Sequence, residues 1–214
     1  MKHRLKNNFL LYILILTLSS CVLIPQPGRA AKEKLLIEHL QGWNEFQLEG
    51  IVEANYNSFS FRKNIMIRKN NDAFRLDVFD SGFMGLNPTP FLSIYMDSTL
   101  VIRPPFSKEV LSAEEAGFKE LDSTTFLFNL NDIINNKQII ISQQILEFPE
   151  YKIHFTDKMQ IDKIMLKQKP VEILFSYINE LNQISILNDD KQVANIQIDK
   201  IEYKNIEIPI YLRS

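Results

Sequence analysis

From Phe46 almost to the C-terminus the chain alternates apolar and polar residues with a period of two, and this pattern restricts it to extended strands laid side by side. Phe46, Leu48, Val52, Ala54 and Tyr56 fall on one side of residues 46–56, while Gln47, Glu49, Glu53 and Asn55 fall on the other. Such a segment buries one face and wets the other. Residues 58–68 repeat the pattern with Phe59, Phe61, Ile65 and Ile67, and Asn57-Ser58 supplies a tight connection, so the two predict a hairpin. Phe74, Leu76 and Val78 continue the apolar face. Further strands are predicted over 91–96, 100–103, 139–148, 151–155, 160–167, 171–178, 183–187, 193–203 and 206–212. The turn signals Asp97-Ser98, Pro149-Glu150, Lys169-Pro170 and Asn188-Asp189-Asp190 punctuate them.

Two stretches depart from the alternation. Residues 32–43 place Leu35, Leu36, His39, Leu40 and Trp43 at helical spacing, which predicts an amphipathic helix opening the folded body. Within 106–136, residues 112–121 open with Ser112 and Glu115 spaced as a capping box, and residues 126–134 carry Phe126, Phe128, Leu130, Ile133 and Ile134. Strands on either side of one helical interruption predict a mainly β fold: a large antiparallel sheet with helices on one face. A sheet of about ten strands curls, and its concave face needs a cover. The helices are the candidates. No internal repeat or low-complexity linker divides the body, so one domain is expected over residues 32–214.

The N-terminus carries an address. Residues 1–6 are basic, residues 9–18 form an uncharged apolar run, and Ser19-Ser20 supplies small residues where a signal peptidase would cut. The run is about half of the roughly 20 residues a bilayer-spanning helix needs. Leu18-Ser19-Ser20-Cys21 is similar to the lipobox of bacterial lipoproteins, a likeness that implies removal of residues 1–20 and lipidation of Cys21 as the new N-terminus. The alternative is an ordinary signal peptide with a chance cysteine beside the cut. Residues 21–31, with Pro25, Pro27 and Gly28, read as a tether. Val22 rather than Asp after the cysteine resembles the outer-membrane sorting pattern of enterobacterial lipoproteins, which implies the periplasmic face of the outer membrane.

Charge and chemistry exclude other classes. Residues 1–20 hold three bases and no acid, leaving 21 bases against 26 acids downstream, so the body lacks the basic excess that nucleic-acid binding needs. A single cysteine rules out an intramolecular disulfide. Beyond the leader only His39 and His154 remain, and no HExxH, CxxC, GxSxG or P-loop pattern occurs. No catalytic residue, metal ligand or cofactor is therefore expected. His39 lies in the apolar stripe as a core or lid histidine, and His154 alternates outward between Ile153 and Phe155, toward solvent. Asp189-Asp190 reads as a hairpin turn rather than a calcium site, and Glu114-Glu115 as a helix first turn.

Three local patterns in this order resemble the lipoprotein-localisation superfamily of LolA, LolB and related lipid carriers. They are the opening helix ending in Trp43 before FQLEGIVEANYNSFSFR, the segment AFRLDVFDSGFMGL at 73–86, and IQIDKIEYKNIEIPIYL at 196–212. The resemblance implies an open half-barrel whose apolar interior takes acyl chains under a helical lid. On that likeness Leu35, Leu36, Leu40 and Trp43 line the cover. Phe46, Leu48, Phe59, Phe61, Phe74, Leu76 and Val78 form the concave wall, and Phe126, Phe128 and Leu130 the lid. The same residues also suit a closed core, and spacing does not separate the two. The resemblance to LolB further implies that Phe83, Met84 and Leu86, beside Gly82 and Gly85, form a loop touching membrane or cargo. The expected function is a non-catalytic, monomeric, membrane-anchored lipoprotein with no cofactor. It would receive acylated lipoprotein or glycolipid from a soluble periplasmic carrier and help to insert it among the membrane lipids. The competing expectation is an envelope structural or interaction lipoprotein of the same fold without lipid cargo; a hydrolase has least support.

Overall fold

The computed structural model describes residues 27–56, 59–71, 73–80, 90–97, 99–104, 109–112, 114–115, 130–203 and 206–209, the side chains of Tyr56 and Phe59 excepted. Cys21, Phe83, Met84, Leu86, Phe126 and Phe128 lie outside these residues. In chain order the elements are α1 (Arg29–Gly42), β1 (Phe46–Tyr56), β2 (Phe59–Lys69), β3 (Phe74–Phe79), β4 (Pro90–Met96), β5 (Leu100–Arg103) and β6 (Leu111–Ser112). There follow α2 (Leu130–Asn135), α3 (Lys137–Gln143), β7 (Ile145–Glu147), β8 (Tyr151–Phe155), β9 (Ile161–Leu166), β10 (Val171–Tyr177), β11 (Leu181–Asn188) and β12 (Lys191–Tyr203).

All twelve strands join one antiparallel sheet in the order β6-β5-β4-β3-β2-β1-β12-β11-β10-β9-β8-β7. Two six-stranded meanders meet at the β1–β12 pair, and β6 and β7 remain as edges, so the sheet does not close into a barrel. Directly opposed residues share a face in an antiparallel ladder. Phe46 lies opposite Lys69 and Leu48 opposite Ile67, with Gly50 against Ile65. The row continues through Phe74, Leu76 and Val78 of β3 to Met96, Ile94 and Leu92 of β4. The period-two pattern therefore identified this face correctly. At Glu49/Gly50 the register with β12 shifts, and a Cβ on Gly50 would overlap the carbonyl oxygen of Gln197. Only glycine permits that approach.

The helices lie on this face. Leu36 and Leu40 of α1, Leu130 and Ile133 of α2, and Ile140 and Ile141 of α3 join Leu48, Ile65, Ile153, Ile164 and Phe175 of the sheet in one apolar cluster. A Lys137–Glu33 ion pair at 2.6 Å ties α3 to α1. Leu35, expected in the cover, instead faces outward and is exposed, because the stripe through Leu36 and Leu40 leaves it on the rim.

Two other expectations need correction. Residues 139–148 are not one strand: α3 runs to Gln143, Gln144 takes a left-handed conformation, and only Ile145–Glu147 pairs as β7. The β-branched run Ile139-Ile140-Ile141 favours a strand, but burial of Ile140 and Ile141 against the other helices overrides that preference. Residues 206–209 form no strand, since β12 is already flanked by β1 and β11 and offers no free edge. The segment instead donates from Ile206 N to Glu45 Oε1 at 2.7 Å and accepts Arg75 Nη1 at the Pro209 carbonyl at 2.9 Å. Ser112 closes β6, and residues 113 and 116–121, where the helix is expected to follow, lie outside the described residues. Its reciprocal bonds with Glu115 are nevertheless made, at 2.8 Å to Oε2 from Ser112 N and 3.3 Å from Glu115 N. The Asp189-Asp190 turn is as expected, both residues having positive φ between β11 and β12.

Candidate functional site

The site is built around Trp43. α1 ends at Gly42, and the Trp43 amide closes on the Leu40 carbonyl at 3.0 Å, so the indole is held over the start of β1. Its ring meets Phe46 edge to face at 5.6 Å and Phe175 at 5.5 Å between centroids. Beneath it lies an apolar cavity of about 120 Å³ lined by Trp43, Phe46, Lys69, Phe74, Leu130, Ile161, Ile164 and Phe175. On the His39 side a second cavity of about 140 Å³ runs past Tyr177 and Tyr203, and a more open hollow of about 500 Å³ lies between the end of α1 and Asn71. Trp43 borders all three.

His39, one helical turn before Trp43, fastens the cover to the sheet. Its Nε2 accepts from Trp43 Nε1 at 2.9 Å and from the Ile161 amide at 3.1 Å. Two donors aimed at Nε2 require its lone pair, so the ring is neutral with its proton on Nδ1. Burial lowers its pKa from the usual 6.5 to about 4. Tyr177 donates to the Ile161 carbonyl at 2.8 Å, and burial pushes its hydroxyl pKa upward. His154, expected in solvent, is only partly exposed, and its Nε2 is buried without a hydrogen-bond partner among the described residues. Burial lowers its pKa as well, with Lys152 and Lys163 adding to the effect.

Of the residues expected to meet cargo, the structure brings Trp43, Phe46, Phe74 and Leu130 around one cavity. Leu36, Leu40, Leu48 and Val78 pack into the core beside it, and Leu76 packs against that core from a partly buried position. Phe61 lies toward the other end of β2, opposite Ala54, and is partly buried. β3 ends at Phe79 and β4 begins at Pro90 at the end of the sheet away from Trp43.

Sequence reasoning missed two features. Ile161, Ile164 and Phe175 complete the cavity from the second meander, a juxtaposition created by the helices and not by proximity in sequence. On the opposite face of the sheet Asp77 accepts from Arg75 Nε at 2.7 Å, Arg75 Nη2 at 3.0 Å and Ser93 Oγ at 2.7 Å, with Arg68 Nη1 at 3.5 Å. Asp77 and Ser93 are almost wholly buried. The alternation Phe74-Arg75-Leu76-Asp77-Val78 already placed Arg75 and Asp77 together on the face away from the helices; nothing in it indicated that this face is covered. Among the described residues no group of three metal-ligating side chains assembles, and no helix is long and apolar enough to cross a membrane.

No family model matches the sequence, and no curated protein matches it. Some solved structures align with the chain. One, described as an outer membrane lipoprotein-sorting protein domain from Vibrio parahaemolyticus, aligns over 83% of this chain and 94% of its own, with a TM-score of 0.47 and 7% identity. A DUF1329 family protein from Desulfovibrio piger aligns over 81% of this chain and 92% of its own, with a TM-score of 0.38 and 10% identity.

Proposed function

We propose that the protein is a membrane-anchored, non-catalytic lipid-binding lipoprotein that receives acylated lipoproteins or other acylated lipids on the inner face of its sheet and helps insert them in the outer membrane. The observation that carries this reading is the apolar cavity under Trp43. Its walls are aromatic and aliphatic apart from Lys69. Among the described residues its roof, α1 and α2, shares no main-chain hydrogen bond with any strand. A roof held by side chains separates without breaking a ladder.

Separation is required. About 120 Å³ is close to the roughly 150 Å³ that takes one benzene and below the roughly 300 Å³ at which small-molecule sites begin. The cavity thus receives the end of a tail, and a whole acyl chain enters only as the helices move outward. Exchange of Leu36 and Leu40 for acyl carbon against the same wall keeps the apolar area buried, at about 25 cal/mol per Å² on either side of the exchange. In this reading residues 1–20 are removed as a signal, residues 21–31 tether the domain through lipidated Cys21, and Phe83, Met84 and Leu86 meet membrane or cargo. More than one acyl chain on Cys21 gives stable attachment.

A second reading is favoured by a specific observation: Leu36 and Leu40 are 0% exposed and Leu48 is 1% exposed, so the protein's own side chains fill most of the interior. That suits an envelope interaction lipoprotein without lipid cargo. Native mass spectrometry of residues 22–214 with added acyl lipid separates the two. A stoichiometric acyl adduct supports transport, and a folded domain that takes up no acyl ligand rejects it. In cells, Cys21→Ala abolishes palmitate labelling, and Phe83→Glu/Met84→Glu lowers delivery of lipoprotein cargo while folding is kept. Unchanged labelling or unchanged delivery removes the corresponding assignment.

A further inference from the structure

Among the described residues Lys69 is the one charged residue in the wall of the apolar cavity. It stands in the inner row of the sheet, opposite Phe46 on one side and Phe74 on the other, where the alternation otherwise places apolar residues. Its Nζ donates to the carbonyls of Asn44 and Asn70, both at 3.3 Å. No carboxylate pairs with it among the described residues. The other inward lysine of β2, Lys63, does pair, with Asp80. A half-buried ammonium whose only partners among the described residues are two long bonds to neutral carbonyls has lost water without gaining a counter-charge there. Burial correspondingly lowers its pKa.

We propose that Lys69 receives the anionic head group, carboxylate or phosphate, of a single-tailed amphiphile whose hydrocarbon end occupies the cavity between Trp43, Phe46, Phe74 and Phe175. This rests on the acyl-binding reading above and narrows it from acylated lipids in general to anionic ones. Geometry sets the polarity of the ligand. Lys69 is the last residue of β2 and its amine is anchored to the loops that precede β1 and follow β2, so the head lies at the end of the sheet and the tail runs inward. An ammonium offers three donors, and the two carbonyl bonds leave one for an incoming oxygen. Replacing or supplementing those carbonyls with an anion yields a charge-assisted bond, shorter and stronger than the neutral ones.

Trp43 is the only tryptophan in the chain, which makes the test direct. The full chain is reconstituted in phosphatidylcholine vesicles and titrated at pH 8 with 6-bromohexanoate or 6-bromohexanol, short enough for the cavity that Lys69 and Trp43 both line, whose bromine quenches indole fluorescence only at short range. Affinities are compared at measured free concentrations. The carboxylate is expected to bind about tenfold more tightly than the alcohol. Lys69→Arg keeps the preference, and Lys69→Met abolishes it, near-ultraviolet circular dichroism reporting that each variant is folded. Equal affinity of the two amphiphiles for the wild-type chain overturns the role of Lys69 while leaving acyl binding intact; so does a preference that survives in Lys69→Met. Absence of quenching by either amphiphile overturns the acyl-binding reading, and this proposal with it.

Discussion

Acidification to pH 5 should destabilise the fold, because the folded protein keeps His39 neutral as an acceptor while the unfolded chain takes up a proton there. Trp43 Nε1 and the Ile161 amide both point at Nε2, and protonation there turns the acceptor into a third donor. The folded pKa of about 4 lies below the unfolded value of 6.5, so the folded protein favours the neutral ring. The stability this contributes is fully present above pH 6.5 and is lost as pH falls through the window between 6.5 and 4, because the unfolded chain takes up the proton first. A shift from 6.5 to about 4 corresponds to a total of roughly 3 kcal/mol, of which roughly 2 kcal/mol disappears between pH 7 and pH 5, above most carboxylate titrations. Urea denaturation of residues 22–214 at half-unit steps from pH 7 to 5 measures it. His39→Gln is the reference, since the glutamine amide oxygen reaches about as far as Nε2 and accepts without titrating. Because His154 titrates in both proteins, the difference between the two curves isolates His39. The wild type should lose roughly 2 kcal/mol relative to His39→Gln over that interval. Parallel curves would refute the claim that a neutral His39 fastens α1 to β9.

Other outcomes follow from the sheet. Asp77→Ala removes the carboxylate paired with the buried Arg75 guanidinium and should cost about 3 kcal/mol or more in urea unfolding, while Arg75→Met/Asp77→Leu costs less than the single change; equal or greater loss in the double variant would show that the pair itself is net stabilising. Gly50→Ala drives a methyl into the Gln197 carbonyl at the junction of the two meanders and should cost about 2 kcal/mol or more; a neutral effect would mean that the β1–β12 register adapts freely. Ile164→Ala should cost about 2–4 kcal/mol in stability and raise the affinity for an acyl tail by enlarging the cavity; an unchanged affinity would place the tail elsewhere.

How much of this was legible in the sequence depends on what the period of a pattern encodes. Alternation fixed which side of each strand faces the helices, because Leu48, Ile67 and Leu76 had no other way to share a face. It gave the wrong element at Ile139–Ile141, where three β-branched residues look like a strand and the buried pair Ile140 and Ile141 decides for a helix. It extended the sheet past Tyr203, since a run such as IEIPIYL carries no record of whether its neighbour still has an unpaired edge. The cavity was the least legible feature. Apolar periodicity reports which way a side chain points and is silent about whether another side chain fills the space in front of it, so Leu48, packed solid, and Phe74, beside a void, look alike. The informative positions were the exceptions. Lys63 and Lys69 sit in the inner row of β2, where solvation should forbid them, and a charge kept on an apolar face needs a counter-charge. Asp80 meets that need for Lys63. Among the described residues Lys69 has only carbonyls, and the anionic partner proposed for it is therefore the most specific reading that the inner face offers.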